Sequence, residues 1–427
     1  MITEKLLQFI WKHRYFNQQG LELITGEPLV IEYPGEENGH QGPDFVNARI
    51  RIYNQLWVGS VELHLFSSGW VKHSHTEDDN YRNVILHVVW KRDRLDIKRN
   101  IPQLELCNRI PHVMLQTYAG WMVNPAFIPC ELSAAKNGLA HWESWSSRLL
   151  IMRLNRKMNT IVNSLRKNQY HWEEQMWWLI ATNFGNPVNS AAFEAIARSI
   201  PFPLLAKHRQ QVIQLEALFL GQANLLEKNF ADPYPVMLKK EFIFLKKKYG
   251  LKKIYEPVHF LRMRPENFPS IRLSQLAALC TQSASLFAWT LECPSVSLLR
   301  KRLFVKANDY WQNHYVFEKT SPVREKMMGT QMVNNIIING IIPLLYTYGK
   351  IISDPAILSK AISWLEEMPA EQNQLMQGWQ RIGIAVKKAA NSQALTELKK
   401  NFCDQRKCLE CDVGKRLLSA DADRNAP

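Results

Sequence analysis

A chain of 427 residues that is 46% hydrophobic and 22% charged belongs among globular soluble proteins and is too long for one ordinary core, which predicts two or three domains. Its formal charge of +14 favours polyanionic partners, nucleic acid first and an anionic membrane second, and says nothing about fold. Seven cysteines in a reducing compartment do not make a disulfide framework.

The first residues carry an early acidic side chain, Glu4, and no apolar run of signal length before Lys12, His13 and Arg14, so a cytoplasmic location is expected. Thr3 can cap a helix whose apolar positions Leu6, Leu7, Ile10 and Trp11 follow the 3.6-residue period. Strands come next: a short run at 21–24, a full strand at 29–33, an alternating one at 45–53, another at 56–66 after Asn54 and Gln55, and an apolar internal strand at 84–90. Residues 70–83 read as helical or irregular. After Trp121 nearly everything reads helical, with Pro111, Pro125 and Pro129 at the junction. The expected organisation is therefore α+β: a mixed α/β domain over 1–120 and a large mainly helical domain over 121–427. The apolar stretch 336–345 is broken by Asn339, Gly340 and Pro343 and is too short to span a bilayer, so it reads as a buried helix and no membrane partner is expected.

The second and third main strands carry the chemistry. Asp44, in Gly42-Pro43-Asp44-Phe45, and Glu62 with His64, in Val61-Glu62-Leu63-His64, offer two carboxylates and an imidazole, a donor set suited to Mg²⁺ or Mn²⁺ and to water activation beside a phosphate. Glu62 and His64 share a face by the two-residue period of a strand. Asp44 joins them only in some registers: a turn at Asn54-Gln55 pairs Glu62 with Asn47 and turns Asp44 away unless a bulge intervenes, whereas a three-residue loop at 53–55 pairs Glu62 with Val46 and brings Asp44 onto the same face. The plainer alternative is a surface hairpin with solvated charges.

The order helix, three main strands, helical segment, strand, with acids on the second and third strands, resembles the core of the PD-(D/E)XK nuclease superfamily. The resemblance implies metal-binding roles for Asp44 and Glu62 and a catalytic role for His64, which stands where Lys is usual and lacks a fixed positive charge. Gln41 is a candidate substrate contact. More widely, Gly42-Pro43-Asp44-Phe45, Glu62-Leu63-His64, Ser67-Ser68-x-Trp70, His73-x-His75, 78–81, 83–89 and Arg264-Pro265-x-Asn267-Phe268-Pro269 together resemble an uncharacterised bacterial family, domain of unknown function 2851, over essentially the whole chain. That family carries no activity to transfer.

His73, His75, Asp79 and His87, with His64, offer the rival of a transition-metal site. In a helix over 70–83, His75 and Asp79 would share a face while His73 pointed elsewhere, and His73 and His75 then read as structural or substrate contacts. His87, inside an apolar strand, reads as a satisfied core histidine.

Near the C-terminus, Cys403, Cys408 and Cys411 have ligand-like spacing, and neighbouring Arg406 and Lys407 should lower their thiol pKa values. Cys130, at the domain junction, is the candidate fourth ligand for zinc or an iron–sulfur cluster; a metal-free thiol pair is the alternative. The arrangement resembles that of iron–sulfur-containing nucleases of the same superfamily, although the spacing differs. In the helical remainder the tryptophans read as core, the lysine clusters as solvated faces, and Arg262, Arg264 and Arg272 around a Pro-rich turn as phosphate candidates. The leading expectation is a cytoplasmic, metal-dependent phosphodiesterase of nucleic acid. A non-catalytic nucleic-acid-binding or scaffold protein, or a His/Asp metal hydrolase of a small molecule, are the alternatives.

Overall fold

A computed structural model describes residues 2–73, 75, 77–94, 101–137, 142–185, 187–261, 263–282 and 285–423. It divides into two compact units, Met1–Trp145 with Leu398–Pro427, and Ser146–Glu397. The expected boundary near 120 left the C-terminal segment with the helices, whereas here Leu398–Pro427 groups with the first unit.

In the first unit Thr3 caps α1 (Glu4–His13), its hydroxyl accepting from Leu6 N at 3.2 Å. Leu6, Leu7, Phe9, Ile10 and Trp11 are buried along one stripe, and the Trp11 indole donates to the Pro34 carbonyl at 2.9 Å. A six-stranded mixed sheet follows. β1 (Leu29–Tyr33) and the two-residue β2 (Glu36–Glu37) both pair antiparallel with β3 (Phe45–Ile52), which pairs antiparallel with β4 (Gln55–Phe66). Then α2 (Gly69–Lys72) and a single 3-10 turn, Asp79–Tyr81, lead to β5 (Val84–Lys91), parallel to β4 and to a short edge strand β6 (Gln103–Glu105). The expected short strand at 21–24 is reduced to one bridge, Glu22 to Pro28. Residues 70–83, read as helical or irregular, hold only the end of α2 and the turn Asp79–Tyr81 as helix among the described residues. Two further helices, α3 (His112–Val123) and α4 (Glu131–Asn137), and the C-terminal helix Asp412–Asp423 complete the unit, with Thr117 of α3 donating to Asp421 at 2.8 Å.

The second unit is helical apart from a two-stranded ribbon, His314–Val316 with Lys319–Thr320. Its apolar stretch is one continuous buried helical run, α-helical over Thr330–Ile336, π-helical over Ile337–Ile341 and α-helical again over Ile342–Ile351. Among the described residues no helix is long and apolar enough to cross a membrane.

Candidate metal centre

The hairpin turn is Tyr53-Asn54, with Tyr53 at φ 48°, and it pairs Ile52 with Gln55. Neither register anticipated from the sequence is the one formed. From Ile52 to Ala48 the ladder runs regularly, Ala48 lying opposite Gly59; then it slips by one, and Phe45 lies opposite Val61. The extra residue is absorbed where Asn47 adopts φ 60°, a left-handed conformation that Asn tolerates better than most side chains. Continued one step, the slipped register sets Asp44 opposite Glu62, and the Asp44 N–H donates to Glu62 Oε2 at 3.0 Å. Asp44 in turn accepts from Leu63 N at 2.9 Å and from Gln8 of α1 at 2.8 Å.

Around the two acids stand four imidazoles. His64 Nδ1 meets His87 Nε2 at 2.9 Å, and His64 Nε2 meets His73 Nδ1 at 3.1 Å. Glu62 Oε1 lies 3.3 Å from His75 Nε2 and 3.6 Å from His64 Nε2. The His75 contact has the distance of a hydrogen bond without the alignment, so His75 Nε2 is buried and unpartnered, as is His87 Nδ1. One ligand nitrogen from each of His64, His73 and His75 lies within 4.8 Å of the others. Tyr81 stacks on His75 at 3.8 Å, and Trp70 packs edge-on against it. Gly69 is required at the start of α2, because a Cβ there would sit 2.7 Å from His64 Cδ2. Asp93 fixes that start by accepting from Ser67, from the Ser68 hydroxyl and from Ser68 N.

Burial and mutual repulsion set the charges. Burial, then the neighbouring Asp44, push Glu62 up to about 8, and burial pushes Asp44 up to about 6. Burial and the surrounding rings push His64 down to about 2, and burial with His75 pushes His87 down to about 3. The result is that His64, His75 and His87 are held neutral beside carboxylates that give up their protons reluctantly, the state of a donor set that a cation would relieve. His73 is exposed and Asp44 half-buried, so the cluster reaches solvent from their side.

Asp44, Glu62, His64, His73 and His75 thus converge. His73 would have pointed away only in a continuous helix over 70–83; α2 stops at Lys72, and His73 joins His64. His87 is not a satisfied core histidine, since it bonds to His64 and leaves Nδ1 free of partners. Asp79 is exposed and paired with Arg82 at 2.7 Å, apart from the cluster. Gln41 lies exposed in the loop before Asp44, its carbonyl 3.5 Å from Asn38 Nδ2. Arg264 belongs to the second unit, beside the 3-10 turn Pro265–Asn267. Arg272 is buried and bonded to Gln275 and Asn267, so it is no free phosphate ligand. Arg262 lies outside the described residues. Cys130, Cys403, Cys408 and Cys411 lie elsewhere in the first unit, and burial raises all four thiols, where lowered values were expected for Cys403, Cys408 and Cys411. The sequence reading missed Gly69 and Asp93, which seat α2 against His64 and offer the cluster no ligand.

Residues 4–374 match the model of a family described as Protein of unknown function (DUF2851), and the chain belongs to that family. No curated protein and no solved structure matches it.

Proposed function

We propose that the first unit is a metal-dependent phosphodiesterase of the PD-(D/E)XK type acting on nucleic acid. One observation carries the reading: the slip between Phe45 and Ala48 sets Asp44 opposite Glu62, so that two carboxylates and the His64 imidazole crowd together at a solvent-reachable place. The order of helix, antiparallel strands, short helix and parallel strand supports it, and the charge of +14 supports a polyanionic substrate.

In this reading Asp44 and Glu62 hold the divalent ion, and His64, neutral at physiological pH, positions water or joins the ligand set. Carboxylates mixed with imidazoles fit Mn²⁺ better than Mg²⁺, which prefers oxygen ligands throughout. Bound there, a divalent cation supplies positive charge to the phosphate oxygens and makes a bound water more acidic. Exposed His73 and Gln41 are the side chains set to meet the substrate. Asp44→Ala or Glu62→Ala is expected to remove Mn²⁺-dependent cleavage of DNA or RNA while salt-dependent binding persists. Undiminished cleavage in both variants would sink the reading. Wild type that binds nucleic acid but never cuts it would point to a binding or scaffold protein.

The closeness of the His64, His73 and His75 nitrogens favours a second reading, a hydrolase of small substrates built on Glu62 and the imidazoles. Under it, wild type hydrolyses bis(p-nitrophenyl) phosphate and leaves DNA and RNA intact, and His75→Ala loses that hydrolysis.

A further inference from the structure

Glu62 turns its two carboxylate oxygens toward different neighbours. Oε2 accepts the Asp44 N–H at 3.0 Å, on the side of the two acids. Oε1 faces the histidines, 3.3 Å from His75 Nε2 and 3.6 Å from His64 Nε2, and His64 Nε2 in turn lies 3.1 Å from His73 Nδ1. The donor atoms therefore fall into two sets that meet at Glu62. Among the described residues His64, His73 and His75 are the one set of three whose ligand atoms all lie within 4.8 Å of one another, and Asp44 is outside it.

The local sequence builds the histidine set. Gly69 and Trp70 begin α2, and the chain then wraps round that single turn: His73 N donates to the Gly69 carbonyl at 3.0 Å and His75 N to the Trp70 carbonyl at 3.3 Å. Both imidazoles come to lie beside His64 of β4, with the three ring centroids 5.0, 5.3 and 5.5 Å apart. Trp70, Tyr81 and Val84 form a buried apolar cluster against them, and an apolar shell of this kind keeps water from a metal's ligands. A His64 that donates its Nδ1 proton to His87 Nε2, 2.9 Å away, turns the lone pair of Nε2 toward His73 and Glu62, the tautomer control that ligating histidines use. His75 Nε2 is buried without a hydrogen-bond partner, a nitrogen that a cation would satisfy.

We propose that His64, His73 and His75 hold a zinc ion, with Glu62 Oε1 as its fourth ligand, beside the divalent ion that the phosphodiesterase reading places on Asp44 and Glu62. Nitrogen and oxygen ligands ~2.0–2.1 Å from a tetrahedral zinc stand roughly 3.4 Å from one another. The contacts at 3.1, 3.3 and 3.6 Å bracket that spacing. Three imidazoles and one carboxylate favour zinc over Mn²⁺, which stands at the weak end of the affinity order for nitrogen ligands. With four protein ligands the site is closed, so the ion clamps the chain that follows α2 onto β4 and is not a second place for water. His73 binds it through Nδ1 and keeps Nε2 to offer a substrate. The zinc site rests on the phosphodiesterase reading only in sharing Glu62 with its ion, and stands whether or not the centre cuts nucleic acid.

Full-length protein freed of metal with a chelator is titrated with Co²⁺, a coloured stand-in for zinc. The first Co²⁺ bound per chain is expected to give the visible band of a tetrahedral site, displaced by Zn²⁺ and not by excess Mg²⁺. His73→Ala and His75→Ala should weaken Co²⁺ binding by at least ~100-fold and leave Mn²⁺ affinity, read by calorimetry, nearly unchanged. Asp44→Ala should do the reverse, keeping the band and losing Mn²⁺. His73 is exposed, so His73→Ala carries the test should His75→Ala fail to fold. Absence of Co²⁺ binding, a band that survives both histidine substitutions, or a band abolished by Asp44→Ala would each overturn the assignment, the last leaving a single ion on the carboxylates. Cleavage tells the two readings apart. Wild type that binds Co²⁺ as expected but cuts neither DNA nor RNA loses the phosphodiesterase reading alone, and Mn²⁺-dependent cutting without Co²⁺ uptake loses the zinc site alone.

Discussion

Two buried glutamates, one in each unit, sit in opposite kinds of surroundings. Glu216 of the second unit is fully buried and accepts from the Tyr234 hydroxyl, the Trp311 indole at 3.0 Å and Ser274. Glu62 of the first unit accepts one backbone N–H, faces a second carboxylate, and has only misaligned or distant imidazoles for company. Burial raises the pKa of both. The difference lies in compensation: three converging donors make Glu216 part of the architecture, whereas Glu62 is buried without the partners that justify burial. A carboxylate left in that condition marks a place where a cation belongs.

The same substitution at both positions gives the sharpest contrast. Glu62→Gln is expected to weaken Mn²⁺ binding by at least ~100-fold, read by calorimetric titration, and to leave the metal-free melting temperature unchanged or raised. A lowered melting temperature with unaltered Mn²⁺ affinity would erase the distinction. Next in size, Gly69→Ala drives a methyl group into the His64 ring and is expected to weaken Mn²⁺ binding by ~10–100-fold, because the ring must turn from its neighbours. Glu216→Gln replaces an acceptor oxygen by a donor beside the Trp311 indole, and is expected to lower unfolding free energy by ~1–3 kcal/mol in denaturant titration.

That loss should depend on pH. The folded-state pKa of Glu216 lies above its ordinary value near 4.5, so the stability its protonated form contributes is fully present below that value and is lost as pH rises through the folded pKa. The gap between wild type and Glu216→Gln is accordingly expected to be widest near pH 4 and to narrow at higher pH. A constant gap would mean that the Glu216 carboxyl titrates alike in the folded and unfolded chain. The smallest effect is expected at the bulge. Asn47→Gly should stay within ~0.5 kcal/mol of wild type, whereas Asn47→Val, β-branched at φ 60°, should cost ~1–2 kcal/mol and weaken Mn²⁺ binding with it.

How much of this was legible in the sequence varied with the kind of information required. The shared face of Glu62 and His64 follows from strand periodicity alone. The position of Asp44 does not: it depends on a one-residue slip, and the sole local sign of it is Asn47, a residue type that also occupies ordinary strand edges. The place of His73 turned on whether residues 70–83 formed a helix, and the chain leaves the helix after Lys72 and brings the ring to His64. The grouping of the C-terminal segment with the first unit, its last helix lying against α3 and α4, was suggested by cysteine spacing. The bond from Arg406 to the Trp121 and Asn124 carbonyls, which ties those segments together, leaves no trace in composition or periodicity.

The slip also acts as a counting rule. In a regular hairpin closed by a two-residue turn, directly opposed residues are an odd number of positions apart. Asp44 and Glu62 are 18 apart, an even number, and only the interruption between Phe45 and Ala48 reconciles that spacing with a shared face. A chain built on the same tight turn but carrying its two acids at an odd separation would need an uninterrupted strand to present them together. The parity of the interval between the acids thus distinguishes a smooth strand of this kind from a kinked one.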